Sequence, residues 1–168
     1  SRVIPARLYG HREATGGSVE LLLLRQESSG WSALARPARK LRPGERLVIP
    51  SRAPNVDPAI AEVLSQRGEG EITVRFEDDA DTRLSDYGVA PLPPYIMERL
   101  EDEERYQTVY ATRAGSAAAP TAGLHFTEDL VSQLHACGIG WTEVTLHVGL
   151  DTFRPVAVED VAEHHIHQ

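Results

Sequence analysis

The stretch Ser18-Val19-Glu20-Leu21-Leu22-Leu23-Leu24-Arg25-Gln26, then Ser28-Ser29-Gly30, then Trp31-Ser32-Ala33-Leu34-Ala35-Arg36-Pro37 reads as strand, turn, strand. Its apolar run, Val19 to Leu24, is the longest in the chain and is broken by Glu20, far short of the ~18 residues of a membrane span. Similar short runs flank it: Ala6–Arg12, Glu45–Pro50 and Ile72–Phe76. Between them lie Thr15-Gly16-Gly17, Arg42-Pro43-Gly44-Glu45 and Arg67-Gly68-Glu69-Gly70, the residues of tight turns. Five strands with such connections predict a small barrel or a curled antiparallel sheet. Asp57–Gln66 interrupts the series. Ile60, Val63 and Leu64 fall at helical spacing and Pro58 suits a first helical turn, so one short helix is expected there.

The acidic run Asp78-Asp79-Ala80-Asp81 marks a boundary, followed by an expected short helix over Leu84–Gly88 and a stiff connector, Pro91-Leu92-Pro93-Pro94. Beyond it the pattern turns α/β. Glu101–Ala111 is expected to be helical. Thr127, followed by Glu128 and Asp129, is an N-cap candidate; Leu130, Leu134 and Cys137 follow at i, i+4 and i+7; Gly138 stands where a helix stops. Trp141–Val148 is expected to be a strand and Val158–His165 another helix. The chain is therefore expected to divide into residues 1–85, a β-barrel-like domain with a connecting strand, and residues 86–168, part of an α/β domain.

The 168 residues are 41% hydrophobic, enough to bury a core. The lone cysteine, Cys137, excludes an internal disulfide and a multi-cysteine zinc site; a small buried helix residue in a reducing cytoplasmic protein is the expectation. The net charge of −8 argues against a general nucleic-acid binder, but it is unevenly spread. Residues 1–46 carry nine basic and four acidic side chains, and the rest carries eight and twenty-one. Arg36, Arg39, Lys40, Arg42 and Arg46 crowd into eleven residues with only Glu45 opposing. Such a run is either a solvated strand-and-turn face or a phosphate-binding patch. Ser1 is not a methionine, the first residues enter a β-like pattern abruptly, and the last stop inside a histidine cluster, so an internal piece of a longer protein is expected.

Six of the seven histidines stand at or after position 125. Histidine titrates near neutral pH and suits proton transfer. His125 ends the small-residue run Ala119-Pro120-Thr121-Ala122-Gly123-Leu124-His125-Phe126, just before the Thr127 helix, where backbone N–H groups can seat a carboxylate or phosphate. His147 lies in Thr145-Leu146-His147-Val148-Gly149. For both, a hydrogen-bonded structural histidine is the competing reading; His135 reads as a surface residue. His164, His165 and His167 raise the question of a metal, which His125 or His147 could complete, but helical zinc pairs are usually spaced i, i+4, and no metal site is expected. No GxGxxG, P-loop or G-x-S-x-G sequence is present, so neither a standard nucleotide fold nor a serine nucleophile is supported.

These same runs resemble the motifs of the S-adenosylmethionine:tRNA ribosyltransferase-isomerase family of queuosine biosynthesis. The likeness rests on 119–126, on Thr145–Gly149 with Thr152-Phe153 and Pro155-Val156, and on His164 with His167. Arg2-Val3-Ile4-Pro5-Ala6-Arg7-Leu8, Gly16-Gly17 with Glu20, Pro91-Leu92-Pro93-Pro94-Tyr95-Ile96 and Tyr106-Gln107-Thr108-Val109-Tyr110 follow the family order. Gln168 stands where the family has serine, Asp151 where many relatives have glycine, and His165 matches no family histidine.

The resemblance implies a fold, an α/β domain (partial here) with an inserted small antiparallel β-barrel, and a reaction. S-adenosylmethionine acts as co-substrate and ribosyl donor, with no permanently bound cofactor. Its ribosyl group is transferred to 7-aminomethyl-7-deazaguanine at the wobble position of tRNA with a G-U-N anticodon. Isomerisation then gives epoxyqueuosine, releasing adenine and methionine. The sulfonium acidifies the adjacent ribose C5′ hydrogens, so a base of near-neutral pKa can remove one. His125 and His147 are the implied catalytic residues. Pro120, Thr121, Ala122, Gly123, Phe126, Gly149, Thr152, Phe153, His164 and His167 are the implied substrate contacts. Arg36, Arg39 and Lys40 would meet tRNA phosphates, and Tyr106 and Tyr110 would stack on splayed bases. The family protein is about twice this length. The whole protein is expected to be a cytoplasmic monomer without membrane contact, and this chain alone to be inactive and prone to self-association. Two rivals stay open: a metal-dependent hydrolase built on His125, His147, His164 and His167, and a non-catalytic RNA-binding barrel over residues 1–80.

Overall fold

The structure is a computed structural model that describes residues 1–92 and 102–149. The chain starts with a two-residue strand, Arg2–Val3 (β1), and then builds a barrel from Arg7–Arg12 (β2), Ser18–Glu27 (β3), Gly30–Arg36 (β4), Arg46–Ile49 (β5), Ala59–Gly68 (β6) and Glu71–Phe76 (β7). Every neighbouring pair is antiparallel. The order runs β3-β4-β7-β6-β5-β2, and pairing of β2 with β3 closes the ring, so no barrel strand keeps a bare edge. A short strand, Gly88–Val89 (β8), pairs antiparallel with the start of β2, at Arg7 and Leu8. After it, Ala114–Ser116 (β9) returns to pair in parallel with β1. The barrel is thus inserted between two strands that are partners in space, as the fold class required. The one α-helix among the described residues is Glu128–Ala136 (α1).

Alternation explains the barrel interior. On β3, Val19, Leu21 and Leu23 are buried while Glu20, Leu22 and Leu24 lie partly open. Leu8, Leu47, Ile49, Ile72 and Val74 meet them from other strands, and Ala33, Ala59 and Ala61 supply the small partners that a narrow barrel needs. Outside, arginines sit on glutamates: Arg7 on Glu20, Arg12 on Glu45, Arg75 on Glu62, Arg46 between Glu13 and Glu77, and Arg67 with Arg25 on Glu27. The Arg67 hydrogen bond, then that of Arg25, pulls the Glu27 carboxyl down to about 2. A second small core joins Val3, Ala90, Tyr106 and Ala119, flanked by Leu92 and Leu124.

Four expected elements differ. Residues 57–66 do not form a helix; β6 occupies them, with Ala59, Ala61 and Val63 inward at period two. The alanines were the buried face, and pairing with both β5 and β7 outweighed the helical spacing of Ile60, Val63 and Leu64. The helix expected over Leu84–Gly88 is a 3-10 turn over Ala80–Asp86, and Gly88 belongs to β8. In the described part of Glu101–Ala111, only a 3-10 turn, Glu103–Tyr106, forms. Trp141–Val148 forms no ladder. Its described ties to β9 and the residue after it are Ala117 N to Val148 O (2.9 Å) and Val148 N to the Ser116 hydroxyl (2.9 Å). Cys137 is exposed rather than buried, because it is the C-cap of α1. The expected helix over Val158–His165 lies outside the described residues.

Candidate functional site

From β9 onward the chain runs inward through Ser116, Ala117, Ala118 and Ala119, all buried. Ala119 packs in the second core, and Ala117 N donates to Val148 O in the segment that follows α1. The chain surfaces at Pro120 and coils into a 3-10 turn, Thr121–His125. Pro120, Thr121, Ala122 and His125 are exposed, whereas Gly123 is buried. A Cβ on Gly123 would run into the Tyr110 hydroxyl and the Thr108 methyl group. The glycine therefore lets the Tyr106–Tyr110 segment lie directly on this turn. Thr127 caps α1, its hydroxyl accepting from Leu130 N at 3.1 Å, and Gly138 ends the helix with φ +77°. Both caps match the sequence expectation.

Tyr110, Phe126 and Trp141 form an edge-to-face triad with centroid separations of 6.4, 5.5 and 5.5 Å. Trp141 opens the segment that ends at His147 and Gly149, so the triad clamps one end of that segment. The other end lies on β9. The His147 imidazole rests on Gly115, whose φ is +136°. Leu146 O accepts from the Ser1 hydroxyl at 2.6 Å, and the Ser1 and Ser116 hydroxyls are bonded to each other. The His147 side chain itself stays open to solvent. No hydrogen bond joins His125 to His147 among the described residues; each ring stands on its own glycine-containing element. Gly149 is exposed. Thr152, Phe153, His164 and His167 lie outside the described residues, and among the described ones no three metal-ligating side chains converge.

Beside the triad lies an open cavity of about 280 Å³, lined by Tyr110, Trp141, Arg113, Glu143, Thr112 and Thr145 among others. It combines two aromatic faces with a guanidinium and hydroxyls. Sequence reading missed Arg113, Trp141 and Glu143 as lining residues. The available signal was their closeness in sequence to Tyr110 and His147, but without the fold nothing brought the two segments together.

The basic run forms a tight turn on one barrel rim, with a 3-10 turn at Ala38–Lys40. Its carbonyls are tied down. The Arg42 guanidinium donates to Arg39 O (2.9 Å) and Leu41 O (3.0 Å), and the Gln66 amide donates to Ala38 O (3.0 Å) and Leu41 O. Glu45 accepts from Arg42 N (3.1 Å) and pairs with Arg12, which holds its carboxyl below the ordinary range. Arg42 and Arg46 are thus committed to the fold. Arg36, Arg39 and Lys40 are exposed and have no ion-pair partner among the described residues. Tyr106 is a core residue, 4% exposed, so no base can stack on its ring in this conformation; Tyr110 remains half-open.

Fold and site together define an α/β protein interrupted by a closed antiparallel barrel, with His125 and His147 on the α/β part and the exposed cations Arg36, Arg39 and Lys40 on the barrel. The chain belongs to the queuosine biosynthesis protein family, whose sequence pattern it matches over residues 1–168. It is 48% identical to the S-adenosylmethionine:tRNA ribosyltransferase-isomerase of Staphylococcus haemolyticus and 46% identical to that of Staphylococcus saprophyticus, in each case over 99% of this chain and 48% of the relative. The chain therefore spans about half the length of these relatives. A crystal structure of an S-adenosylmethionine tRNA ribosyltransferase from Thermotoga maritima is 29% identical, covering 89% of this chain and 38% of that one, with a TM-score of 0.41.

Proposed function

We propose that the whole protein transfers and isomerises the ribosyl moiety of S-adenosylmethionine onto 7-aminomethyl-7-deazaguanine at the wobble position of tRNA with a G-U-N anticodon. The products are epoxyqueuosine, adenine and methionine. The observation that carries this reading is the pairing of the 114–126 and 141–149 segments, which places the solvent-open His147 ring on β9, the strand that leads into the turn bearing His125. One of these histidines takes a proton from the carbon beside the sulfonium, and the other orients or protonates a leaving group. Pro120, Thr121, Ala122, Gly123, Phe126 and Gly149 form the near wall for the co-substrate, with Thr152, Phe153, His164 and His167 contributing beyond the described residues. Tyr110, Trp141 and Arg113 offer the aromatic faces and cation that hold a purine and a carboxylate.

Arg36, Arg39 and Lys40 meet tRNA phosphates, because a rigid turn presents them without internal partners, and Tyr110 supplies stacking. The natural division is a barrel unit over 1–85 and an α/β unit from 86 onward, in a cytoplasmic monomer. No helix among the described residues is long and apolar enough to cross a membrane. The test uses S-adenosylmethionine labelled either in the ribose or in the methyl group, with the whole protein and precursor tRNA. Ribose label entering tRNA with stoichiometric adenine release is expected. Methyl label entering tRNA, or no label at all, overturns the proposal.

A further inference from the structure

We infer that Gly115 and Ser116 form a seat that fixes the His147 imidazole for proton transfer; this rests on the proposed role of His147. Three observations meet at this point. First, the ring lies on the bare α-carbon of Gly115: a Cβ there would be 2.7 Å from Nδ1 and 2.9 Å from Cε1. Real Cβ atoms do not come that close, so any side chain at 115 displaces the ring. Second, the Gly115 φ of +136° is a backbone state that residues with side chains rarely adopt. Third, the backbone is pinned on both sides of His147, at Val148 by Ser116 and Ala117 and at Leu146 by Ser1, whose hydroxyl is in turn bonded to that of Ser116. Val148 N donates to the fully buried Ser116 hydroxyl at 2.9 Å, Ala117 N donates to Val148 O, and Leu146 O accepts from Ser1.

The seat answers a physical need. His147 is solvent-open, and among the described residues no hydrogen bond holds its ring. An exposed imidazole on a segment without a strand ladder would sample several rotamers. Steric contact with a flat, side-chain-free surface restricts it without taking up either ring nitrogen, so both stay available for proton exchange. Orientation of this kind matters because a shift of about 1 Å in a reacting group can cost about 100-fold in rate. Gly115 and Ser116 are accordingly positioning residues that act through His147 and touch no substrate themselves.

The experiment is a cycle in the whole protein, with adenine release and ribosyl transfer as activities and the His147 ring resonance followed by NMR with labelled histidine. His147→Gln is made first. A fall in kcat of about 100-fold or more is expected for loss of a general base. Gly115→Ala should lower kcat by about 100-fold with KM within about twofold, and shift the His147 ring resonance. Ser116→Ala, a milder change that keeps the strand backbone, should lower kcat in the same sense and broaden that resonance. In the His147→Gln background neither substitution should lower the residual rate further, since both act through the ring.

Each failure is distinct. A His147→Gln protein that turns over normally overturns the role of His147, and the seat's role with it. An inactive His147→Gln protein alongside Gly115→Ala and Ser116→Ala proteins of normal kcat and unshifted resonance overturns the seat alone. Equal losses from Gly115→Ala in both backgrounds show general structural damage and likewise overturn it. Should Gly115→Ala fail to fold, Ser116→Ala carries the same comparison.

Discussion

Replacing Arg36, Arg39 and Lys40 together by glutamine should change how tRNA binding depends on salt, by an amount the structure fixes. Each cation that neutralises a phosphate releases counterions and contributes a slope of about −0.7 on single-stranded and −0.9 on duplex nucleic acid in log affinity against log salt. Three exposed cations without internal partners therefore account for a slope of about 2.1 to 2.7. Raising salt from about 50 to 200 mM should then cost the unaltered protein about 20- to 40-fold more affinity than it costs the triple variant. The fold should not suffer, because these side chains hold nothing: the turn is fixed by the Arg42 guanidinium, the Gln66 amide and Glu45. Arg67→Gln is the matched control. That arginine is spent on Glu27, so its loss should leave the salt slope unchanged. The assay is tRNA affinity by filter binding or anisotropy across a salt series, with thermal unfolding in parallel. Identical slopes for the unaltered protein and the triple variant would refute the assignment of this turn to phosphate.

The barrel interior should be unforgiving: Leu47→Ala, at a fully buried position, should cost about 2–5 kcal/mol in urea unfolding. Thr127→Ala should cost about 1 kcal/mol and speed amide exchange in the first turn of α1, where the Leu130 N–H loses its acceptor. Glu27 has a folded pKa near 2 against 4.5 ordinarily, so its contribution to stability is complete above about pH 4.5 and disappears as pH falls towards 2. Glu27→Gln should flatten the fall in urea midpoint across that window; an equally steep fall in the variant would contradict the Arg67–Glu27 pairing.

Much of the barrel was legible because its signals are local. Alternation in 18–27 and the glycine turns at 16–17 and 68–70 specify strands and reversals regardless of what surrounds them. The helix caps at Thr127 and Gly138 were legible for the same reason. What misled was composition without context. In 57–66 the alanines look neutral, and only a barrel with large leucines on the opposite wall makes them the inward face. The stretch 141–148 has strand-like residues, yet it finds an edge that offers one backbone bond and one serine hydroxyl in place of a ladder. The charge cluster at 36–46 could not be apportioned from sequence, because Arg42 and Arg46 differ from Arg36 and Arg39 only in what folds against them. Likewise Tyr106 and Tyr110 share one motif, but the first closes a core and the second borders a cavity.

That last distinction follows from the glycines. Gly123 admits the Tyr110 hydroxyl, and Gly115 admits the His147 ring; each removes a side chain where a functional group from a distant segment must come to rest. Between them, residues 116–119 are small and buried, so the segment carrying both seats can press into the second core without displacing either. A chain selected only for stability would gain by filling these positions, since larger side chains bury more apolar area and glycine costs backbone entropy on folding. The small residues make sense if what is conserved in space is the separation between the His147 seat and the turn that ends at His125. The barrel, closed on itself and carrying its own core, can then hold its basic rim without disturbing that geometry.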